Sequence, residues 1–482
     1  MSFAELLTQE QVERIHDASL EILEEVGLKV RHEPARELFK RHGCHVEEER
    51  VRFPRAVVEK YRKMVPSSFT FGGRDPKFDK TIPQDSPVIV TASSAPDIID
   101  PVTGQERRAT SADIARIAHL INELPGYDIF SISTLADDAP PDQFTLSRLY
   151  PALKYCLKPI RVTTTNMKDT RSIMDLVYLV AGGEEAYKEH PFLTHHYCPV
   201  VSPLTMDHLS TENVMFFVKE GLPVYPTIVP NAGLTSPMSM AGTLVQGNAE
   251  FLAALMLMQM TREGAPTIYA TLGTVADMRS GAYTSGAIEC GMLHMAFAQL
   301  ARFYKVPSGG YIGLTNSKLN DAQSGYETGM SAVAGLLAGM DMFNIGGLID
   351  ALKTFDFAKA VIDDEIALMM KRIKRGISFS EDDLAVNLIK EIGPGGSYIT
   401  AKHTISRMKT EAVMTKIADR EARTLWEKKG ALDIHARAMK RVREIMEANT
   451  ASLISPELDE QIRAKFPGLV AGELEPLPEA TR

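Results

Sequence analysis

Aromatic side chains lie near the ends of the buried, strand-like segments of this sequence. Tyr197, Tyr311 and Phe343 belong to such segments, and Phe355 follows the last of them. Their rings could form a cage for a quaternary ammonium ion, because a cation over an aromatic face gains about 0.5 to 2 kcal/mol depending on desolvation. Tyr311 and Phe343 are the stronger candidates, since they stand at the ends of neighbouring segments. Each ring taken alone is also compatible with core packing.

Polar candidates follow the same segments. Asp97 lies just past the first segment, where its carboxylate could offset a substrate charge or simply form the turn of PDIIDP. His195 and His196 are consecutive in the fourth segment, so strand alternation points one imidazole inward and the other outward. His195 is a candidate for binding a carboxylate, or a hydrogen-bonded structural histidine. Other polar or small residues also fall at segment ends, where we expect the site, and they include Ser93, Asn231, Asn344 and Gly346.

Short apolar segments alternate with longer helical patterns between residues 81 and 375, and this alternation must position the candidates. The segments are Pro87–Ala92, Tyr127–Ile132, Pro159–Thr164, Phe192–Pro199, Pro223–Val229, Pro266–Leu272, Pro307–Ile312 and Met342–Gly346. Parallel strands need helical crossovers of this length, so we predict an α/β fold, a (β/α)8 TIM barrel with its site at the carboxyl ends of the strands. A doubly wound open sheet is the alternative. Tyr225 and Tyr269 lie within segments, which favours the core.

Two further regions flank the predicted barrel. Helical patterns over Gln9–Val26 and Glu33–His42 indicate a small N-terminal α/β extension at residues 1–80. Only helical patterns follow residue 375, which predicts a C-terminal helical region over 376–482. We expect a homo-oligomer, for which this helical region is a candidate interface.

Composition excludes several classes of protein. The chain has 482 residues, of which 44% are apolar and 24% charged, as is typical of a globular protein. A net charge of −9 and the lack of a basic tract argue against nucleic acid or an anionic membrane as partner. The longest apolar run, Phe251–Met258, is far shorter than the ~20 residues of a membrane helix. The N-terminus lacks the layout of a signal peptide, so we expect a cytoplasmic protein.

Common metal and nucleotide motifs are missing from the sequence. Cys44, Cys156, Cys198 and Cys290 lie far apart without a ligand spacing, which predicts neither a disulfide framework nor a local metal site. The sequence contains no HExxH, no GxxxxGK[ST] and no GxSxG. We therefore expect no metal and no stably bound cofactor.

Several long stretches resemble the trimethylamine methyltransferase (MttB) superfamily. They are PNAGLTSPMSMAGTLVQGNAEFLA (Pro230–Ala253), GAPTIYATLGTVADMRSGAYTSGAIE (Gly264–Glu289), VPSGGYIGLTNSKLNDAQSGYETGMSAVAGLLAG (Val306–Gly339) and NIGGLIDALKTFDFAKAVIDDEIALMMKR (Asn344–Arg372). With the N-terminal ILEEVGLKV, the resemblance covers nearly the whole chain. It implies a TIM barrel that passes a methyl group from a methylamine to the Co(I) of a corrinoid (cobalamin) held by a separate partner protein.

The sequence departs from this family at one position. Members that act on trimethylamine carry pyrrolysine immediately before a Thr-[Asp/Asn]-x-Lys segment, whereas here Leu314 precedes Thr315, Asn316, Ser317 and Lys318. The chain thus resembles the non-pyrrolysine members, which are associated with glycine betaine, proline betaine or carnitine. When a quaternary ammonium ion loses a methyl group, the leaving group is a neutral tertiary amine that needs no proton. Positioning and desolvation of the substrate therefore suffice for the reaction.

These observations give one set of site predictions. Tyr311, Leu314 and Asp97 are the predicted catalytic positions, and the predicted substrate-binding positions are Phe343, Tyr197, Asn231, His195, Gly346 and Phe355. The carboxylate of a betaine could bind His195, Asn231 or backbone N–H groups around Gly346. Two alternatives stay open: a methyltransferase for trimethylamine or another tertiary amine, and a betaine-binding paralogue without activity.

Overall fold

Eight parallel strands form the centre of the computed structural model, which describes residues 3–448, 450–475 and 477. They are β1 (Val88–Val90), β2 (Phe130–Ser131), β3 (Ile160–Val162), β4 (Leu193–Tyr197), β5 (Val224–Ile228), β6 (Tyr269–Thr271), β7 (Ser308–Gly310) and β8 (Met342–Asn344). Each strand pairs with its sequence neighbour, β8 pairs with β1, and a bridge between Val90 and Ile129 closes β1 against β2. The predicted TIM barrel is confirmed.

A long helix follows each strand and covers the outside of the barrel. The helices are α1 (Ser111–Glu123), α2 (Phe144–Tyr155), α3 (Met167–Ala181), α4 (His208–Lys219), α5 (Met240–Thr261), α6 (Ile288–Tyr304), α7 (Ala322–Leu337) and α8 (Phe357–Arg375). Several begin where a side chain accepts a backbone N–H of the first turn, as Asn166, Asp207, Asp321 and Asp356 do. These caps fix where the loops at the carboxyl ends of the strands give way to helix.

A hairpin closes the amino end of the barrel. Its strands, Phe69–Phe71 and Lys80–Ile82, precede β1, and their buried side chains pack with Ile268, Met342 and Tyr225 in the interior. The amino end is therefore filled by apolar side chains. The carboxyl end, where Ser93 and His196 are only half-buried, is the open one.

The N-terminal region is joined to the barrel rather than lying apart from it. It contains helices Gln9–Glu21, Ile22–Val26, Glu33–Arg41 and Arg55–Tyr61 and strands Leu28–Val30, His45–Glu47 and Arg50–Arg52. Leu28–Val30 pairs in parallel with Thr205–Met206, which lies in the loop between β4 and α4. Val200–Val201 of the same loop completes a five-stranded sheet. The N-terminal region thus supports one of the loops at the open end.

Two smaller sheets cover other parts of the open end. One consists of Asn231–Ala232, Thr274–Asp277 and Ala282–Thr284, from the loops after β5 and β6. The other combines Asp97–Ile99, Glu106–Arg108, Leu348–Ile349 and Thr354–Phe355, from the loops after β1 and β8. These sheets give the rim of the barrel a defined backbone structure.

The C-terminal region is helical, with Glu381–Leu384, Val386–Ile392, Lys402–Glu411, Arg423–Lys428, Ile434–Glu447 and Pro456–Lys465. Ile434–Glu447 packs on α1, where His119 Nε2 lies 3.0 Å from the carbonyl oxygen of Ile445. Large apolar side chains earlier in the region are exposed, among them Ile377 (87%) and Phe379 (84%). No helix within the described residues is long and apolar enough to cross a membrane.

Candidate active site in the barrel interior

A guanidinium lies at the centre of the barrel interior. Arg161 stands between Ile160 and Val162 on β3, so alternation along the strand turns its side chain inward while its neighbours face the helices. The side chain is 2% exposed. Its Nε donates to Ser131 Oγ at 3.0 Å. The amide oxygen of Asn344, with the carboxamide oriented to satisfy its neighbours, accepts from both Nη atoms.

Two tyrosine rings flank this guanidinium. Its central carbon lies 5.0 Å from the ring centroid of Tyr225 and 5.3 Å from that of Tyr311. Arg161 Nη2 also donates to Tyr311 Oη at 3.0 Å, and Tyr225 Oη accepts from the Asn344 amide nitrogen at 3.0 Å. Gly309 makes this possible, because a Cβ there would lie 3.0 Å from Tyr225 Oη. The planar group is thus held from several sides.

A neutral imidazole lies on the open side of this cluster. His196 Nε2 is 2.9 Å from Thr227 Oγ1, and its ring centroid is 5.9 Å from that of Tyr311. Burial, and secondly the charge of Arg161, holds the pKa of His196 well below its usual value. Ser93, whose Oγ lies 3.2 Å from Tyr311 Oη, is half-buried, as is His196. These two side chains therefore line the accessible part of the interior.

The loop after β4 is tied to the barrel by a buried carboxylate. Glu250 on α5 accepts from Ser202 Oγ at 2.6 Å and from the Leu204 backbone N–H at 3.0 Å. Gln246 Nε2 donates to the same carboxylate at 2.9 Å. Burial raises the pKa of Glu250, and the three hydrogen bonds oppose that effect. The carboxylate positions the rim loop and does not face the interior cluster.

Of the predicted site residues, the structure brings Tyr311 into this interior cluster. His195 and Phe343 lie on the outer face of the sheet. The ring of His195 stacks on Phe217 of α4 at 3.4 Å, and burial lowers its pKa to about 3. A Cβ at Gly335 of α7 would lie 3.0 Å from Phe343 Cε1, so that ring packs against the helix. The pleat explains both placements, since each residue is one position out of phase with the interior.

Tyr197, Asp97 and Phe355 are also placed away from Arg161. Tyr197 hydrogen-bonds Thr164 through its hydroxyl in the layer between strands and helices. Asp97 lies in a rim sheet, where it pairs with Arg108 at 3.2 Å. Phe355 is fully buried in the same sheet. Tyr197 and Phe355 thus have the packing role that their rings also allowed, whereas Asp97 lies in a strand and forms an ion pair instead of the turn expected for PDIIDP.

Leu314, Asn231 and Gly346 lie in loops at the open end. Leu314 is 2% exposed and follows β7. Asn231 begins a rim strand, and its buried Oδ1 has no hydrogen-bond partner among the described residues. Gly346 has a φ of 120°, and a Cβ there would lie 2.3 Å from Tyr127 Oη, so the position requires glycine for backbone reasons.

Sequence reasoning missed the residues that build the cluster. Arg161 and Ser131 were not among the predicted site residues, and Tyr225 was assigned to the core. Asn344 was placed at a segment end but was given no role. One signal was available: Arg161 is a charged residue flanked by apolar ones in a strand covered by helices, so its side chain had to enter the barrel. The described residues contain no group of three or more His, Cys, Asp or Glu arranged to hold a metal ion.

Comparison with known proteins places this architecture in a family. Residues 1–467 match the family described as "Trimethylamine methyltransferase (MTTB)". The chain belongs to this family. The match to the trimethylamine methyltransferase family thus covers the N-terminal region, the barrel and most of the C-terminal region. The chain is a methyltransferase, and the names of its relatives point to the methyl group of an amine.

Relatives within the family differ in their named substrates. A glycine betaine methyltransferase of Desulfitobacterium hafniense (strain Y51) is 34% identical over 97% of this chain and 96% of its own length. The trimethylamine methyltransferase MttB of Methanosarcina barkeri is 29% identical over 95% of this chain and 94% of its own. The crystal structure of the Methanosarcina barkeri monomethylamine methyltransferase (MtmB) has the same fold, with a TM-score of 0.51, 12% identity and coverage of 92% and 95%.

Proposed function

We propose that this protein transfers a methyl group from the quaternary nitrogen of a betaine-type amine to the Co(I) of a corrinoid that a separate protein presents at the open end of the barrel. The bond between nitrogen and the methyl carbon breaks, and its electron pair stays on nitrogen as a neutral tertiary amine. The new bond to the methyl carbon takes its electron pair from the reduced acceptor. No proton enters or leaves.

The observation that carries this proposal is the aliphatic Leu314 at the position where relatives acting on trimethylamine carry pyrrolysine. The leucine side chain is buried and has no group that could form an adduct with a substrate. The neutral imidazole of His196 supports the same reading, because a group with so low a pKa is no proton donor at neutral pH. A quaternary ammonium matches such an interior, since it leaves without protonation.

The chain's own residues supply positioning and dryness. Arg161, Tyr225 and Tyr311 form the floor of the proposed site, and the side chains at the amino end below them are apolar and buried. A substrate on this floor would direct one methyl group toward the open end. Alignment and desolvation of this kind account for large rate enhancements in displacement reactions.

The rim offers an apolar surface for the partner. Leu234, Met238 and Met278, from the loops after β5 and β6, are 56%, 54% and 61% exposed. The two methionines are neighbours, because a Cβ at Gly233 would lie 2.8 Å from the sulfur of Met278 and 2.9 Å from that of Met238. Exposed apolar side chains that cluster in this way commonly mark protein interfaces.

The test is a spectroscopic assay with a reduced corrinoid protein. Trimethylamine, glycine betaine, proline betaine and carnitine are added in separate cuvettes, and conversion of the Co(I) spectrum to that of the methylated acceptor is followed. We expect a quaternary amine to react and trimethylamine to remain inert. Phe343→Leu serves as the control variant, because its side chain faces α7 and should leave the order of substrates unchanged.

Two results would contradict the proposal in different ways. Turnover of trimethylamine at a rate similar to that of the betaines would make the chain a tertiary-amine methyltransferase. Binding of betaines by titration, without methyl transfer to any corrinoid protein, would indicate a betaine-binding protein instead.

A further inference from the structure

Arg161 is a buried cation without an acidic partner. Its guanidinium donates to the Ser131 hydroxyl, the Tyr311 hydroxyl and the Asn344 amide, all of which are neutral. Within residues 3–448, 450–475 and 477, no carboxylate forms an ion pair with it. A charge removed from water is costly unless a counter-ion accompanies it. The interior therefore carries an unbalanced positive charge where the proposed function places the substrate.

We propose that Arg161 binds the carboxylate of the methyl donor, so that the site selects amines that carry a carboxylate over amines that are simple cations. This inference rests on the proposed function and names the part of the substrate that the interior recognises. It assigns the carboxylate to a side chain of β3, rather than to His195, Asn231 or the backbone around Gly346.

The geometry of the guanidinium suits a planar anion. The rings of Tyr225 and Tyr311 lie on it at 5.0 and 5.3 Å, and Ser131 fixes its Nε, so the plane of the group is set before a ligand arrives. A carboxylate oxygen can accept a remaining Nη hydrogen or replace the neutral Asn344 amide as acceptor. Such charge-assisted bonds are roughly twice as strong as those between neutral groups.

Charge balance explains the selection. A cationic amine without a carboxylate would place a second positive charge beside Arg161 in a poorly solvated interior. A zwitterion brings its own negative charge, which lies against the guanidinium and separates it from the ammonium. His196 adds no charge of its own, because its imidazole stays neutral at this site.

The surrounding side chains give such a ligand one orientation. The amino end below Arg161 is filled by apolar residues, whereas Ser93 and His196 on the other side are half-buried. The carboxylate must therefore lie toward Arg161 and the ammonium toward the open end. That is the orientation that offers a methyl group to an acceptor outside the barrel.

Binding titrations without a corrinoid protein test this inference. The probes are glycine betaine and choline, which share a trimethylammonium group and differ in the carboxylate. We expect R161Q to weaken glycine betaine binding by about 10- to 100-fold, the range for losing a hydrogen-bonded charge partner, and to leave choline binding unchanged or tighter. R161K keeps the charge but loses the planar fork, so its loss for glycine betaine should be smaller.

R148Q is the matched control. Arg148 on α2 is also buried, but its Nε donates to the backbone carbonyl of Thr134 and not to the interior cluster. This variant should keep the wild-type ratio of the two affinities. Thermal unfolding of each variant shows that it is folded, and R161K carries the test should R161Q fail to fold.

Several outcomes would overturn the inference. An equal loss of affinity for both probes in R161Q would mean that Arg161 only shapes the barrel. Unchanged affinities for both probes would place the carboxylate elsewhere. A wild-type protein that binds neither probe would also contradict it. If glycine betaine binding depends on Arg161 but no methyl transfer occurs, the proposed function fails while this inference stands. If quaternary amines react and R161Q keeps the wild-type selectivity, the proposed function stands and this inference fails.

Discussion

Glu250 on α5 and Ser202 in the loop after β4 are joined by a hydrogen bond of 2.6 Å between the serine hydroxyl and the carboxylate. The carboxylate is fully buried, and burial raises its pKa above the usual value of 4.5. The folded protein therefore binds a proton more tightly at this group than the unfolded chain does. The stabilisation that follows is complete below pH 4.5 and is lost as the pH rises through the folded-state pKa.

The variant E250Q tests this linkage. Glutamine cannot ionise. The free energy of unfolding of E250Q should therefore increase relative to that of the wild type as the pH rises from about 5 to 8. Denaturant titrations at several pH values measure the difference. A constant difference over this range would show that Glu250 is not protonated more readily in the folded state.

Asn344→Asp should convert the substrate site into an internal ion pair. An aspartate at this position places a carboxylate where the amide oxygen of Asn344 accepts from Arg161. The guanidinium is then neutralised, and we expect glycine betaine to bind at least about tenfold more weakly, the equivalent of one charged hydrogen bond. Choline should lose less affinity or none. Calorimetric titration with both compounds measures this, and unchanged binding of glycine betaine would contradict it.

Lysine substitutions in the rim patch should impair the encounter with the partner. M238K and M278K place charges on the exposed apolar surface at the open end. We expect a lower rate of methyl transfer at limiting corrinoid protein, by about tenfold, which corresponds to 1.4 kcal/mol of interface free energy. Glycine betaine binding should not change, because neither side chain contacts the interior cluster.

M414K is the control for this experiment. Met414 is 63% exposed but lies in the C-terminal region, away from the rim. It should leave the transfer rate unaltered. Equal effects of all three substitutions would show that the rim patch has no special part in docking the partner.

The C-terminal region is expected to mediate self-association. Ile377, Phe379 and Ile399 are 87%, 84% and 78% exposed, and burying such side chains in an interface gains free energy. Light scattering after size-exclusion chromatography should report an oligomer that F379S shifts toward the monomer. M330K, on the exposed face of α7, is the comparison. If M330K dissociates the oligomer and F379S does not, the interface lies on the barrel instead.

The order of elements could be predicted from sequence because each strand and helix has its own local signal. All eight predicted strand segments contain a barrel strand, and each is followed by the predicted helix. Side-chain direction was harder, since a shift of one residue exchanges the two faces of a strand. His195 and His196 illustrate this: alternation required one of them inside, but the sequence did not show which.

The candidate site was predicted less completely for the same reason. Tyr311 was predicted and lies in the interior cluster, whereas Phe343 is between two interior residues, Met342 and Asn344, and faces α7. Arg161 on β3 and Asn344 on β8 meet only when the barrel closes, because four strands lie between β3 and β8 in the order of the sheet. Contacts of that kind depend on the whole sheet and leave no local trace in the sequence.

The pairing of Leu28–Val30 with Thr205–Met206 makes the barrel hard to excise or to exchange between proteins. A chain that began at residue 81 would leave the edge of Thr205–Met206 with unpaired backbone groups beside the open end. Bare strand edges recruit other strands, so such a truncation should aggregate rather than fold into a smaller enzyme. Chimeras within this family should therefore inherit the first 80 residues and the loop after β4 from the same parent.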